Sequence, residues 1–285
     1  MKPFVLTCLS SSLIMAGIAS AQTPPPSSDS QPGSARVTVV ALGTMPKSVV
    51  KWGNDGQVSY EMNQAQTLPP TGLYVKVMHE AKKEYVPFAM TLNIPSVPVP
   101  FGADGLVLYG PEAAKAEEQK KQPEAAMTIP TVKTSEYQMI MMWRKEPKDD
   151  WKHPEFLPLD LAESAFPPGS VYFINFTQRS VRLVMPQSNQ ARPMGFKSGF
   201  LITPAKDLPT FNYKVDCLGR NNEILPICFT GMKVDASSRN VVAVYEGAEG
   251  RPVAASFAVP VKPAPEKKTT DAPAPAVSVS TGGAH

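Results

Sequence analysis

Histidine is scarce in this sequence, with only 3 among 285 residues, and this scarcity narrows the enzyme classes to consider. A nucleophilic serine, cysteine or threonine needs a histidine or a substitute base within reach. His285 is the last residue, His79 ends a predicted strand, and His153 lies in a charged segment. The motifs G-x-S-x-G, H-E-x-x-H and G-x-x-x-x-G-K-[ST] are also absent. We therefore expect a protein that is not an enzyme and needs no cofactor, with a hydrolase that lacks a motif as a remote alternative.

The sequence also lacks a large excess of either basic or acidic residues. The sequence has 28 Lys and Arg against 25 Asp and Glu, a net charge of +3. The basic residues are scattered and form no stripe, so the electrostatic pattern of nucleic-acid binding is absent. We expect neither a nucleic-acid partner nor adhesion to an anionic membrane surface.

Stretches suited to long helices are rare because proline is abundant, with 31 residues. Prolines recur every few positions, as in "LNIPSVPVPFG". Proline is excluded from helix interiors and from the ladders of central strands. The sequence therefore predicts short strands with proline at their ends, edges and turns.

Alternation of apolar and polar residues supports this interpretation. In "EYVPFAMTLNI", the apolar side chains of Val86, Phe88 and Met90 fall on one face, the pattern of a half-buried strand. By contrast, "VYFINF" is apolar on both faces, and "VRLVM" after it has a polar side. A central strand beside a strand nearer the edge is typical of packed sheets. We predict an all-β protein, an antiparallel β-sandwich of immunoglobulin-like general architecture, built as two β modules.

The N-terminus has the layout of a secretory signal peptide. Lys2 precedes an apolar run at residues 4–18, and Ala19-Ser20-Ala21 forms an A-x-A cleavage site. The run is shorter than the ~20 apolar residues of a spanning helix, so a retained anchor is the less favoured alternative. We expect export to the bacterial periplasm or beyond, with no transmembrane segment after cleavage.

Composition divides the rest of the chain. A segment of Ala, Glu, Lys and Gln without large apolar residues lies in the middle, and Pro-rich stretches that cannot bury a core flank the ordered part. In chain order, the predicted parts are a signal peptide (1–21), a Pro/Ser-rich linker (22–35), a first β domain (36–110), a charged helix or linker (111–126), a second β domain (127–261) and a flexible Pro/Ala-rich tail (262–285). The alternative is that 111–126 is an insertion between strands of a single sandwich.

Cys217 and Cys228 are the only cysteines after the signal sequence. They flank "LGRNNEILPI", a predicted hairpin turn, and export would permit their oxidation. We predict a disulfide, which would contribute about 3 kcal/mol on the chain-entropy model. Two buried free thiols are the alternative, and a metal site is disfavoured because no Cys or His nearby completes a ligand set.

The densest polar and aromatic cluster is "MMWRKEPKDDWKHPEF". Its candidate ligand-binding residues are Trp143, Asp149, Asp150, Trp151, His153 and Glu155. An exposed Trp could stack on a sugar ring, whereas the spacing of the carboxylates matches no metal loop. The alternative is a solvated loop, with Trp143 in the core and Trp151 fixing the loop in place.

Together these features predict a noncatalytic module of the bacterial cell envelope. It would bind an envelope protein or serve as an assembly component. A secreted carbohydrate-binding protein that uses residues 143–156 is the alternative, with a glycan as its partner.

Overall fold

The computed structural model describes residues 35–261, with gaps at 46–47, 54–56, 63–67, 80–81, 116–122, 147–148, 188–189, 205–209, 220, 222, 236 and 248–249. The predicted signal peptide, nearly all of the first linker, and the C-terminal tail lie outside the described residues. Within them the chain is nearly all β, which confirms the predicted fold class.

The strands vary from two to nine residues in length. They are β1 (Arg36–Leu42), β2 (Ser48–Trp52), β3 (Val58–Met62), β4 (Leu73–His79), β5 (Lys82–Phe88), β6 (Val99–Pro100), β7 (Leu106–Tyr109), β8 (Ala125–Ile129), β9 (Tyr137–Trp143), β10 (Glu155–Asp160), β11 (Val171–Asn175), β12 (Val181–Met185), β13 (Gln190–Met194), β14 (Gly199–Ile202), β15 (Phe211–Leu218), β16 (Ile224–Met232), β17 (Ser238–Glu246) and β18 (Pro252–Pro260).

Four four-stranded sheets form two sandwiches. Sheet I has the order β10-β9-β1-β6 and sheet II the order β5-β4-β7-β8; sheet III has the order β14-β11-β17-β18 and sheet IV the order β13-β12-β15-β16. One core lies between sheets I and II, the first sandwich, and another between sheets III and IV, the second sandwich. A third core joins sheets I and III back to back. The layers therefore stack in the order II, I, III, IV.

The central strands of sheet I, β1 and β9, are buried on both faces because each face contacts a different core. In β1, Val37 and Val39 point into the first sandwich, whereas Val40 and Leu42 point towards sheet III. β9 is buried along its whole length for the same reason. Continuous apolar strands are typical of such covered sheets.

The two sandwiches have the same topology. Each contains a parallel pair, β1 with β9 and β11 with β17, and the second strand of each pair continues into an antiparallel neighbour, β10 or β18. The two outer sheets also share a detail. The pairing of β7 with β8 in sheet II and that of β15 with β16 in sheet IV each contain a register irregularity. The order β6-β1-β9-β10 thus repeats as β14-β11-β17-β18, and β5-β4-β7-β8 repeats as β13-β12-β15-β16. The topology is therefore duplicated, although no sequence repeat is evident between the two halves.

The sheets group the strands differently from the two β domains that the composition predicts, 36–110 and 127–261. β1, from the predicted first domain, pairs along its whole length with β9, from the predicted second. The first sandwich therefore includes strands up to Asp160. The charged segment 111–126 forms a 3-10 turn at Pro111–Lys115 and ends in β8, while 116–122 lies outside the described residues. The composition of this segment predicts a charged helix or linker, and sheet pairing overrides helix propensity at its C-terminal end.

Prolines occupy edge strands, as predicted. Pro87 lies in β5, Pro158 in β10, Pro193 in β13 and Pro226 in β16, and each of these strands is at the edge of its sheet. Proline removes a backbone donor and so discourages edge-to-edge pairing.

The structure does not support the predicted disulfide. Cys217 is buried, Cys228 is partly buried, and both are free thiols. Although β15 and β16 are paired, Cys217 lies opposite Leu225, and Cys228 lies opposite Val215. The two cysteines are therefore offset along the strands. Burial raises the pKa of both thiols, and this disfavours the reactive thiolate.

Candidate binding end of the first sandwich

The parallel pairing of β1 and β9 brings two connections to one end of the first sandwich. Leu42 and Trp143, the last residues of these strands, are paired. The β2–β3 hairpin follows β1, and the predicted ligand-binding segment follows β9. We call this end the β1/β9 end.

Trp143 is part of the core between the sandwiches. Its side chain is only 5% exposed, and its ring centroid lies 4.4 Å from that of Phe176. The Nζ of Lys197 lies 5.1 Å from the Trp143 ring and 2.8 Å from the Glu155 Oε2. Trp143 and Glu155 therefore hold the second sandwich against the first, and Trp143 offers no free ring face.

Trp151 is part of a different core, the one inside the first sandwich. It is 4% exposed, and the Arg144 Cζ lies 5.5 Å from its ring centroid. Arg144 also donates from Nη1 to the Asp149 backbone carbonyl, at 3.0 Å. Burial lowers the pKa of Arg144, and the nearby Asp149 partly counteracts this effect. Trp151 thus fixes the loop in place, as the alternative interpretation predicted.

The carboxylates of this loop are engaged locally. Asp149 Oδ2 accepts a 2.9 Å hydrogen bond from the backbone amide of Glu146, and Asp150 Oδ1 accepts one of 2.9 Å from that of Lys152. Lys152 also forms a 3.7 Å ion pair with Asp150. No group of three or more His, Cys, Asp or Glu side chains in the described part of the chain is placed to hold a metal ion.

His153 lies apart from the two tryptophans, in the wall of an open cleft of about 450 Å³. Residues 125–128 of β8 form one wall, and residues 152–154 with Phe156 form the other. Met127 and Phe156 in these walls also pack against the core of the first sandwich. The structure therefore separates the predicted residues into two buried tryptophans, locally bonded carboxylates and a histidine in a cleft.

The β2–β3 hairpin carries exposed apolar residues that the sequence interpretation missed. Trp52 is 75% exposed, Val50 46% and Val58 41%. Trp52 lies opposite Val58 in the antiparallel register, and alternate residues share a face, so all three lie on one side of the hairpin. The missed signal is "SVVKWGNDGQVSYEM", in which alternating apolar residues flank a Gly-Asn-Asp-Gly turn.

The hairpin is an insertion relative to the second sandwich. There, the corresponding connection between β11 and β12 is only residues 176–180. It is fixed by the buried Asn175 side chain, whose Oδ1 accepts hydrogen bonds from the Thr177 amide and hydroxyl, both at 2.9 Å. β2 and β3 instead form a sheet of their own. An isolated two-stranded hairpin is marginally stable in water.

No protein-family model matches the chain, and no curated protein matches it in sequence. Among the described residues, no helix is long and apolar enough to cross a membrane.

Proposed function

We propose that this chain is an exported, noncatalytic module of the bacterial cell envelope that binds a protein through the β1/β9 end. The observation that carries this proposal is the hairpin face formed by Val50, Trp52 and Val58. Exposed apolar side chains clustered on one face are a feature of protein-binding surfaces. Tryptophan is also enriched among the residues that dominate binding energy.

Two features support export. The N-terminal sequence has a charged start, an apolar run and an A-x-A site, and Pro-rich stretches at residues 22–35 and 262–285 resemble spacers. The proposed location is the periplasm or the cell surface.

The contacts of the predicted loop favour a protein partner over a glycan. Sugar binding was predicted from stacking on Trp143 or Trp151, but neither ring is exposed. The carboxylates beside them bond to the loop itself. Among the described side chains at this end, that of Trp52 is an exposed aromatic ring.

The test is capture of envelope protein by the immobilised mature chain. We expect Trp52→Ala to weaken capture at least about tenfold, because truncation of an aromatic residue that dominates binding costs about 2 kcal/mol or more. Phe229→Ala is the matched control, since Phe229 is 71% exposed on β16 of the other sandwich. If no protein is retained, or if both variants retain it equally, the proposal is wrong.

A further inference from the structure

We infer that residues 276–281, near the C-terminus, pair as an added strand with the free edge of β16 in the second sandwich of the same molecule. This inference goes beyond the proposed function, which concerns the β1/β9 end of the first sandwich. It joins an edge strand with exposed apolar side chains to a segment that has the sequence pattern of a strand and is tethered beside that edge.

The acceptor is the outer edge of β16. This strand is the last of sheet IV and, among the described residues, pairs only with β15. An edge strand presents the backbone amides and carbonyls of its outer side to any further strand that approaches. β16 has nine residues, so its edge is long enough to accept a complete strand.

Exposed apolar side chains distinguish β16 from β18, the edge strand of sheet III. Both strands have nine residues. In β16, Phe229 is 71% exposed and Ile224 is 53% exposed, whereas Phe257 and Val259 of β18 are buried in the core between the sandwiches. An added strand would therefore cover apolar surface at β16 that β18 already buries for itself.

The usual protection of an edge strand covers only the beginning of β16. Pro226 lacks a backbone donor, but residues 227–232 contain neither proline nor a charged residue. The edge strands β5 and β13, by contrast, combine a proline with charged side chains. Proline and charge are features that keep sheet edges from pairing, so residues 227–232 remain open to a further strand.

The added strand comes from the end of the C-terminal tail. Residues 262–275 contain four prolines, whereas the six residues "AVSVST" at 276–281 contain none. Alternating valine and serine is the pattern of a half-buried strand, and six residues is an ordinary strand length. Two valines are too few to form a core, so a strand of this composition requires an existing sheet.

Chain connectivity brings this segment to β16. Pro260, the last residue of β18, is paired with Ser238, the first residue of β17. β17 follows β16 after the short connection 233–237, and β16 and β18 contact each other. The tail therefore begins at the end of the second sandwich where β16 ends.

The spacer is long enough to reach every part of β16. Residues 262–275 span up to roughly 43 Å at about 3.1 Å per residue in a Pro-rich chain. The nine residues of β16 span roughly 30 Å. A short tether gives an effective concentration in roughly the millimolar range, so pairing within the chain is favoured over pairing with a second copy.

Neither of the two segments brings a charge into the contact. Residues 272–284 are uncharged, as is the whole of β16. On the neighbouring strand, Lys214 lies opposite Phe229, and its Nζ forms a 3.4 Å ion pair with the Asp216 Oδ2. A valine beside Phe229 would form the kind of aromatic and β-branched pair that stabilises adjacent strands.

The test is amide hydrogen exchange of the mature full-length chain, measured by mass spectrometry of peptides that cover β16. We expect the amides of residues 227–232 that do not bond to β15 to exchange at least about tenfold faster in Val279→Pro than in wild type, because proline breaks the added strand. Val279→Ile keeps the strand pattern and should exchange as wild type does. Thr270→Pro, in the spacer, is the matched control for proline and should do the same.

The fold itself supplies two internal references. All three substitutions lie outside the two sandwiches, and unchanged exchange of the central strand β17 in each variant would show that the second sandwich remains folded. β14, at the opposite edge of sheet III, should also exchange equally in all variants, because the tail does not cover it.

Equal exchange of residues 227–232 in wild type and Val279→Pro overturns the inference, as does a loss of protection at a different edge strand. Protection within one chain should be independent of protein concentration. If it falls on dilution, the segment pairs with a second copy and the inference of pairing within the chain is wrong. Since Trp52 lies in a hairpin that follows β1 of the first sandwich, the capture experiment tests the proposed function separately.

Discussion

The hydroxyl of Tyr245 in β17 donates a 3.0 Å hydrogen bond to the backbone carbonyl of Gly43, the residue after β1. The bond is buried and joins the two sandwiches. The same carbonyl accepts a 2.7 Å bond from the Nδ2 of Asn93, and burial raises the pKa of Tyr245. This contact helps to fix the second sandwich beside the β1/β9 end.

Tyr245→Phe should lower the free energy of unfolding by about 1 kcal/mol, the net value of a hydrogen bond. This loss of stability is modest because the Asn93 Nδ2 still donates a hydrogen bond to the Gly43 carbonyl. Urea unfolding measures it. Unchanged stability in Tyr245→Phe would show that the Gly43 contact adds nothing.

Substitution of the tryptophans should separate core positions from the binding surface. Trp151→Ala should lower the free energy of unfolding by roughly 3–5 kcal/mol, because it removes a side chain that is 4% exposed from the first core. Trp52→Ala, at 75% exposure, should change it by less than about 0.5 kcal/mol. Thermal or denaturant unfolding measures both values, and a destabilised Trp52→Ala would contradict the assignment of this residue to a binding surface.

The two cysteines should react as hindered free thiols. Under native conditions we expect slow alkylation, with Cys228 modified before Cys217, because Cys217 is 1% exposed and burial raises the pKa of both. Mass spectrometry follows the reaction, and unfolding in urea should make both sites react quickly. An intact mass that rises on reduction would instead reveal a disulfide.

Alkaline pH should destabilise the second sandwich through Tyr213. Burial, and secondarily Cys228, raise the pKa of this tyrosine from 10.0 to about 12. Because the unfolded chain releases this proton first, the stabilisation is complete below pH 10 and is lost as pH rises to about 12. The loss is roughly 3 kcal/mol for two pKa units. Tyrosinate absorbance and denaturant unfolding across this range measure it, and in Tyr213→Phe the pH dependence should be weaker.

Much of the fold could be predicted because its signals are local. Alternation identified β5, and the apolar run of β11 identified a strand covered on both faces. Proline marked edge strands because its missing backbone donor costs a ladder hydrogen bond in a central strand but not on the outward side of an edge strand. The hairpin at residues 48–62 was missed although its turn sequence is distinctive.

The candidate site was less predictable because exposure depends on distant packing. Trp52, Trp143 and Trp151 are the same residue type, each in or near a strand, yet their exposures are 75%, 5% and 4%. The loop at 143–156 was correctly seen as dense in polar and aromatic residues. The partners that bury its two rings, such as Phe176 and Lys197, are not its sequence neighbours.

By itself the sequence determined that this chain forms short strands with proline-protected edges, since backbone chemistry and side-chain alternation act over a few residues. The tertiary structure alone decided that β1 pairs in parallel with β9 and that a second sandwich repeats this topology. It also decided that the apolar face of one hairpin is left uncovered. Parallel pairing joins segments about one hundred residues apart in the first sandwich and about seventy in the second, and it requires a crossover connection. No local pattern specifies which two covered strands meet.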